Sequence, residues 1–223
     1  MRRFLLALPL LALFDGETGA GGSTLQQVKL PDPNRQGELS VEEGLQKRRS
    51  VREYAPGPLK LEDVAQILWA AQGFNDPEGY RTAPSAGALY PLEVYLVVGE
   101  VSDLPAGVYH YRPRQHDLVL VKSGDMRGPL FSASIRQEYV RDAPAVLAIA
   151  GVFERTARKY GQRARRYVHM EVGHAAQNVY LQAVAIGLGT VMVGAFDDGD
   201  VQKLLGLPQD HEPLALMPLG RSR

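Results

Sequence analysis

Apolar residues recur along the chain with two different periods, and each period predicts a different kind of element. In residues 61–72 the apolar side chains stand three and four residues apart, which places them on one face of a helix that ends at Gly73. Continuous apolar and β-branched runs predict buried strands instead. Together the patterns predict further helices beginning at Ser40 and covering 162–186 and 198–206, strands at 91–98, 143–153, 190–196 and 212–220, and a hairpin over 107–124.

The predicted helices and strands are mixed without strict alternation. This order is typical of an α+β sandwich built around a single sheet. A chain of 223 residues, 45% of them hydrophobic, can bury one full core. We therefore expect one domain over residues 23–223.

The first 22 residues have a pattern of their own. MRRFLLALPLLALF combines a basic start with a short apolar run, and polar, glycine-rich DGETGAGG follows. This order resembles a secretory signal, and the Arg2-Arg3 pair also resembles a twin-arginine signal. A helix over the apolar run would be about 16 Å long, too short for a bilayer core of about 30 Å, so we expect no permanent membrane anchor. The segment predicts export to the periplasm; the alternative is an ordinary N-terminal helix of a cytoplasmic protein.

Charge and cysteine content exclude several classes of function. Lys plus Arg and Asp plus Glu both number 25, so no overall field attracts nucleic acid, and none is expected as a partner. The chain has no cysteine, which excludes thiolate nucleophiles and zinc-thiolate sites. His169 and His174 lie about 140° apart around the predicted helix, too far apart to share a metal ion easily, and no metal site is predicted. We expect Glu171, His174 and Asn178 to form a hydrogen-bonded polar patch.

Two other features suggest a bound anion or a flat ligand. Arginines cluster at 48–52, at 155–166 and at the C-terminus; they could form a solvated face or gather around a phosphate. The segment TAPSAGALYPLEVYLVV, residues 82–98, has almost no side chains in its first half. It could be a surface turn before a strand, or a place where backbone approaches a ligand closely.

Four motifs give the chain a resemblance to a known family. KRRSVREY, APSAGALYPLEVYLVV, GLGTVMVGAFDD and PLGRSR occur in the order and spacing of the nitroreductase superfamily of flavin enzymes. KYGQRARRYVHMEVGHAAQN resembles the SagB/ThcOx-type dehydrogenases, which include oxidases that turn peptide azolines into azoles. The resemblance extends from about residue 29 to the C-terminus. It implies a central mixed, mainly antiparallel sheet flanked by helices.

The resemblance also implies FMN as cofactor and assigns residues to it. Phosphate ligands would be Arg48 and Arg221 with support from Ser50, and Arg52 would lie at the pyrimidine edge of the flavin. A segment of small residues would pack against FMN held mainly by the other subunit of a homodimer, and a strand end would bring a backbone N–H near the flavin N5. The full set of implied cofactor-binding residues is Arg48, Arg49, Ser50, Arg52, Pro84, Ser85, Ala86, Gly87, Met192, Val193, Gly194, Ala195, Gly220 and Arg221.

The chemistry implied by the resemblance centres on Lys159 and Tyr160. These match a Lys-Tyr pair of azoline oxidases, in which the lysine removes a proton as hydride leaves for FMN. Ala88 and the Tyr90-Pro91-Leu92 run depart from the generic nitroreductase pattern of Asn and Gln-Pro-Trp, in the direction of the SagB-like enzymes. The predicted function is an FMN-dependent oxidoreductase acting on a small-molecule or peptide-derived substrate. The alternatives are a generic NAD(P)H-dependent nitroreductase and a non-catalytic flavin-fold subunit of a larger assembly.

Overall fold

The computed structural model describes residues 26–223, which form a seven-stranded sheet with helices on both faces. The strands are β1 (Gln27–Lys29), β2 (Leu92–Val98), β3 (Gly107–Arg112), β4 (Asp117–Ser123), β5 (Ala145–Gly151), β6 (Leu188–Thr190) and β7 (Glu212–Arg221). The helices are α1 (Val41–Lys47), α2 (Leu61–Gln72), α3 (Arg127–Ala133), α4 (Glu138–Asp142), α5 (Phe153–Tyr160), α6 (Ala164–Ala185) and α7 (Asp198–Leu205). Short 3₁₀ turns cover Ala86–Ala88 and Gly161–Arg163.

The sheet has the order β1-β4-β3-β2-β5-β7-β6, and its neighbouring strands are antiparallel. Within the described residues, a parallel pairing occurs only as an isolated bridge between Leu59 and Val101. The predicted α+β sandwich around a mainly antiparallel sheet is therefore confirmed.

Alternate residues of β2 face two separate cores, as strand geometry requires. Leu96 and its neighbours on one face pack with α2 and α6, while Tyr95 and Val97 on the other face pack with α3, α4 and α7. Two helical layers thus hold the sheet between them. The long helix α6 lies on the first face, where its position determines much of the candidate site.

Local signals located several elements correctly. Ser40 and Glu43 form the reciprocal capping box that begins α1. The Glu43 N–H donates to the Ser40 hydroxyl at 3.1 Å, and the Ser40 N–H donates to the Glu43 carboxylate at 3.3 Å. Gly73 follows α2 as its predicted C-cap, and its N–H donates to the Trp69 carbonyl. The hairpin is present as β3 and β4, turning over residues 113–116.

The predicted strand over 190–196 is wrong for most of its length. Only β6, ending at Thr190, and a bridge from Val193 to Leu216 pair with β7. The register of that bridge places Val191 opposite Pro218, at a position where the β7 residue would donate its N–H. Proline has no N–H, so the ladder is interrupted there.

The segment before α6 is also different from the prediction. Strand β5 ends at Gly151, two residues before the predicted strand end, and the stretch up to the predicted helix at 162 forms α5, which carries Lys159 and Tyr160 in its last turn. Helices α3 and α4 had no counterpart in the sequence pattern. Among residues 26–223, no helix has the length and apolar character needed to cross a bilayer. The expected signal segment lies outside the described residues, and export stays a prediction.

Candidate active site

The small-residue segment, residues 84–90, has an unusual backbone. Gly87, Ala88 and Tyr90 have φ angles of 65°, 54° and 46°, in the left-handed region that favours glycine. Two of these three residues carry side chains, so the segment is strained. Strain of this kind persists where surrounding contacts hold it, and it concentrates at functional sites.

Gly87 lies directly against Lys159 and Tyr160. A Cβ atom built on Gly87 would stand 2.9 Å from the Lys159 Nζ and 2.9 Å from the Tyr160 hydroxyl, closer than real Cβ contacts allow. The Tyr160 ring packs edge-on against Tyr167 at 5.0 Å between centroids, which fixes its direction. The structure therefore brings the predicted catalytic pair to the predicted cofactor segment; we call these three residues the Gly87 cluster.

Glu171 anchors the segment from α6. Its carboxylate is buried and accepts the Ala86 N–H at 2.9 Å. Burial raises the pKa of Glu171, and the hydrogen bond from Ala86 acts in the opposite direction. Asn178, expected in the same polar patch, instead donates to the carbonyls of Ala70 and Thr82. The patch is therefore two separate anchors, and only Glu171 reaches the 84–90 segment.

A second group of predicted cofactor residues gathers around Tyr180, which the sequence did not single out. The Tyr180 hydroxyl accepts the Met192 N–H at 2.7 Å and lies 3.3 Å from the Ser50 hydroxyl. The Arg48 guanidinium stands over the Tyr180 ring at 5.1 Å. We call Arg48, Ser50, Tyr180 and Met192 the Tyr180 cluster.

The predicted strand end at 192–195 offers few backbone donors. The Met192 N–H is bound by Tyr180, and both backbone groups of Val193 are paired with Leu216. Within the described part of the chain, the N–H groups of Gly194 and Ala195 have no partner. Only these two amides are available to a ligand.

The remaining predicted residues fall into different environments. Arg221 ends β7, is 40% exposed and has only Asp63, at 3.7 Å, as an acidic neighbour in the described chain. Arg52 is exposed and stands over the Tyr139 ring at 5.7 Å. Arg49 donates to the carbonyls of its own turn, at Gln46 and Arg48. Packing explains the glycine at position 220, since a Cβ there would stand 2.5 Å from the Tyr54 ring.

The two clusters lie on opposite sides of α6. Glu171 supports the Gly87 cluster and Tyr180 lies nine residues further along the same helix. Nine residues turn a helix by about 900°, two and a half turns, and advance it by about 13 Å. Glu171 and Tyr180 thus face opposite directions.

The donor set fits FMN. Arg48 and Arg221 supply cations with few acidic neighbours, Ser50 adds a hydroxyl, and such groups suit a phosphate. Gly87 presents bare backbone at a point where a side chain would clash, and Gly194 and Ala195 keep free N–H donors. No cluster of metal-ligating side chains occurs in residues 26–223.

Comparisons with known proteins find related sequences and folds. The model of the nitroreductase family matches residues 45–221. "Putative nitroreductase MJ1384" of Methanocaldococcus jannaschii is 48% identical over 200 residues, covering 90% of this chain and 98% of that protein. The crystal structure of a "putative nitroreductase" from Ralstonia eutropha JMP134 superposes on this chain with a TM-score of 0.79 at 29% identity. The superposition covers 94% of this chain and 98% of that one. The microcin B17-processing protein McbC of Escherichia coli is 32% identical over 157 residues, which are 68% of this chain and 58% of McbC.

Proposed function

This chain belongs to the nitroreductase family of oxidoreductases, and from that membership we propose that it is an FMN-dependent dehydrogenase of the SagB type. When bound, FMN would supply the centre that accepts or gives up a hydride. The observation that carries the proposal is the contact of Gly87 with Lys159 and Tyr160. A bare backbone beside an amine and a phenol provides a surface for a planar ring together with proton-handling groups.

Lys159 and Tyr160 have different roles in this proposal. The Lys159 Nζ removes a proton from the substrate as it is oxidised, and the Tyr160 hydroxyl orients the substrate beside it. Both side chains leave the last turn of α5, so a short helix sets their spacing. Packing on Tyr167 limits the movement of Tyr160.

The residues that would hold the cofactor come from the Tyr180 cluster, together with Arg52 and Arg221. Arg48, Arg221 and Ser50 would bind the phosphate, and Arg52 would lie at the pyrimidine edge. The N–H of Gly194 or Ala195 would lie near the flavin N5, since those of Met192 and Val193 are already bonded.

The opposite placement of the two clusters supports a shared site. A single flavin that contacts both clusters needs them on one side, whereas α6 separates them in one chain. In a two-fold dimer, the Gly87 cluster of one subunit can meet the Tyr180 cluster of the other. We therefore propose a homodimer with two equivalent FMN sites.

The substrate is proposed to be a small or peptide-derived molecule. McbC is named for processing microcin B17, and this chain spans 58% of its length, so only the shared part supports the analogy. A second candidate function is that of a generic NAD(P)H-dependent nitroreductase; the 48% identical relative, named as a nitroreductase, supports the nitroreductase part of it.

Separate measurement of the two half-reactions tests the proposal. With a thiazoline-containing peptide as probe, Lys159→Ala should lower substrate oxidation about a hundredfold or more, and Tyr160→Phe less. Reduction of the enzyme by NAD(P)H removes no proton from the probe and should change little. Arg158→Ala, which removes the adjacent cation of α5, is the matched control. Equal losses in both half-reactions would withdraw the role of Lys159 as base and favour the nitroreductase alternative.

A further inference from the structure

We propose that Glu171 and Arg155 are positioning residues that clamp the strained 84–90 segment against Lys159 and Tyr160. The proposal rests on the proposed function, because the clamped segment is the one assigned to the flavin. Neither residue touches the atoms assigned to chemistry. Each binds the segment from a different helix.

The first end of the clamp is on α6. Glu171 accepts the Ala86 N–H at 2.9 Å, and the Oγ of Ser85, the residue before Ala86, accepts the Tyr90 N–H at 2.9 Å. The buried carboxylate therefore holds the beginning of the segment, and Ser85, next to the residue it binds, holds the end. The Gly87 backbone lies between these two points.

The second end of the clamp is on α5. Arg155 donates to the Tyr90 carbonyl at 3.1 Å and to the Glu93 carboxylate, which also binds His110 Nε2 at 2.7 Å. Arg155 is four residues before Lys159, on the same face of α5. The guanidinium thus ties the end of the segment to the helix that carries the catalytic pair.

The two ends together account for the strained backbone. Three left-handed residues within four positions persist only where surrounding contacts determine them, and Tyr90 is held at its N–H by Ser85 and at its carbonyl by Arg155. Without these contacts the segment can relax away from Lys159 and Tyr160. The gap beside Gly87 would then widen and lose its fixed geometry.

Amide hydrogen exchange on the full-length protein, with and without added FMN, measures the clamp directly. Glu171→Leu and Arg155→Met should each speed exchange in residues 84–90 by at least about tenfold, since each removes charged hydrogen bonds. Glu171→Gln keeps an acceptor for Ala86 and should stay near the wild type. Gln66→Leu is the control, because it loses buried bonds to Asn34 and Gln182 and none to the segment.

Kinetics supply a readout that a general structural role would not move. With the thiazoline peptide as probe, Glu171→Leu should lower kcat at least about tenfold with little change in KM, and Glu171→Gln should restore it. If Glu171→Leu does not fold, Ser85→Ala takes its place, since it removes only the hydroxyl that accepts the Tyr90 N–H. It should then speed exchange at residue 90.

Two results would overturn the clamp. One is unchanged exchange in 84–90 for Glu171→Leu, or for Ser85→Ala, in folded protein. The other is faster exchange throughout α6 and the sheet with no excess in the segment. A wild-type protein that binds no FMN would defeat the proposed function, but the exchange measurement without FMN would still decide the clamp.

Discussion

Replacing Gly87 by alanine tests whether this position must be bare backbone. The new methyl group would stand 2.9 Å from both the Lys159 Nζ and the Tyr160 hydroxyl and 3.3 Å from the Lys159 Cδ, on a backbone with φ 65°. A left-handed alanine costs about 1 kcal/mol relative to glycine, which lowers Tm by about 2–4 °C in a domain of this size. The lysine end is flexible and can move by a few tenths of an ångström, so most of the damage should be to the site and not to stability.

Gly206→Ala is the matched control for this substitution. Gly206 has φ 67° and ψ 33°, close to the 65° and 19° of Gly87, and its Cβ would meet only the exposed Val121 side chain, at 3.3 Å. Thermal unfolding should therefore show similar losses in both variants. Turnover of the thiazoline peptide should fall about tenfold or more in Gly87→Ala alone, because misplaced catalytic groups lose rate steeply. Wild-type turnover in Gly87→Ala, or an equal loss in Gly206→Ala, would refute the assigned role of Gly87.

Three further predictions concern the cofactor, the assembly and acid stability. Arg221→Ala should purify folded but largely without flavin, whereas Arg223→Ala, which loses an exposed pair with Glu53, should keep it; equal flavin content in both would remove Arg221 from the phosphate site. Mixed dimers of Lys159→Ala and Arg221→Ala chains should regain up to half of the wild-type activity, since one of their two sites carries both changes and the other none; activity no greater than that of the separate variants would contradict a shared site. Glu93 contributes stability that is full above pH 4.5 and is lost as pH falls towards 2, because bonds from His110 and Arg155 outweigh its burial and hold its pKa at about 2. Between pH 4.5 and pH 2, the free energy of unfolding measured with denaturant should fall by about 3 kcal/mol less in Glu93→Gln than in the wild type. An equal fall with pH in the two proteins would refute the lowered pKa of Glu93.

Elements with local signals could be predicted from the sequence. The capping box at Ser40, the periodic helix before Gly73 and the hairpin depend on neighbouring residues, and the structure has them all. The family resemblance, including the relation to processing proteins of the SagB type, is confirmed by the comparisons.

Features that depend on distant contacts could not be predicted. The strand at 190–196 is interrupted because Pro218 lies opposite Val191, a pairing that only the folded sheet determines. The role of Tyr180 depends on residues more than a hundred positions away, such as Ser50, and no spacing rule points to it. The sequence pattern groups Glu171 with its neighbours on the helix, but its partner in the structure is Ala86. The assignment of individual residues to FMN stays a prediction.

In the proposed site, this chain holds FMN between an arginine-lined cluster and a bare backbone segment. The most direct test is the mass and amount of flavin released by heat from the purified full-length protein. We expect FMN, at one molecule per subunit, bound by the dimer. A protein that purifies without flavin and binds none when FMN is added would contradict it.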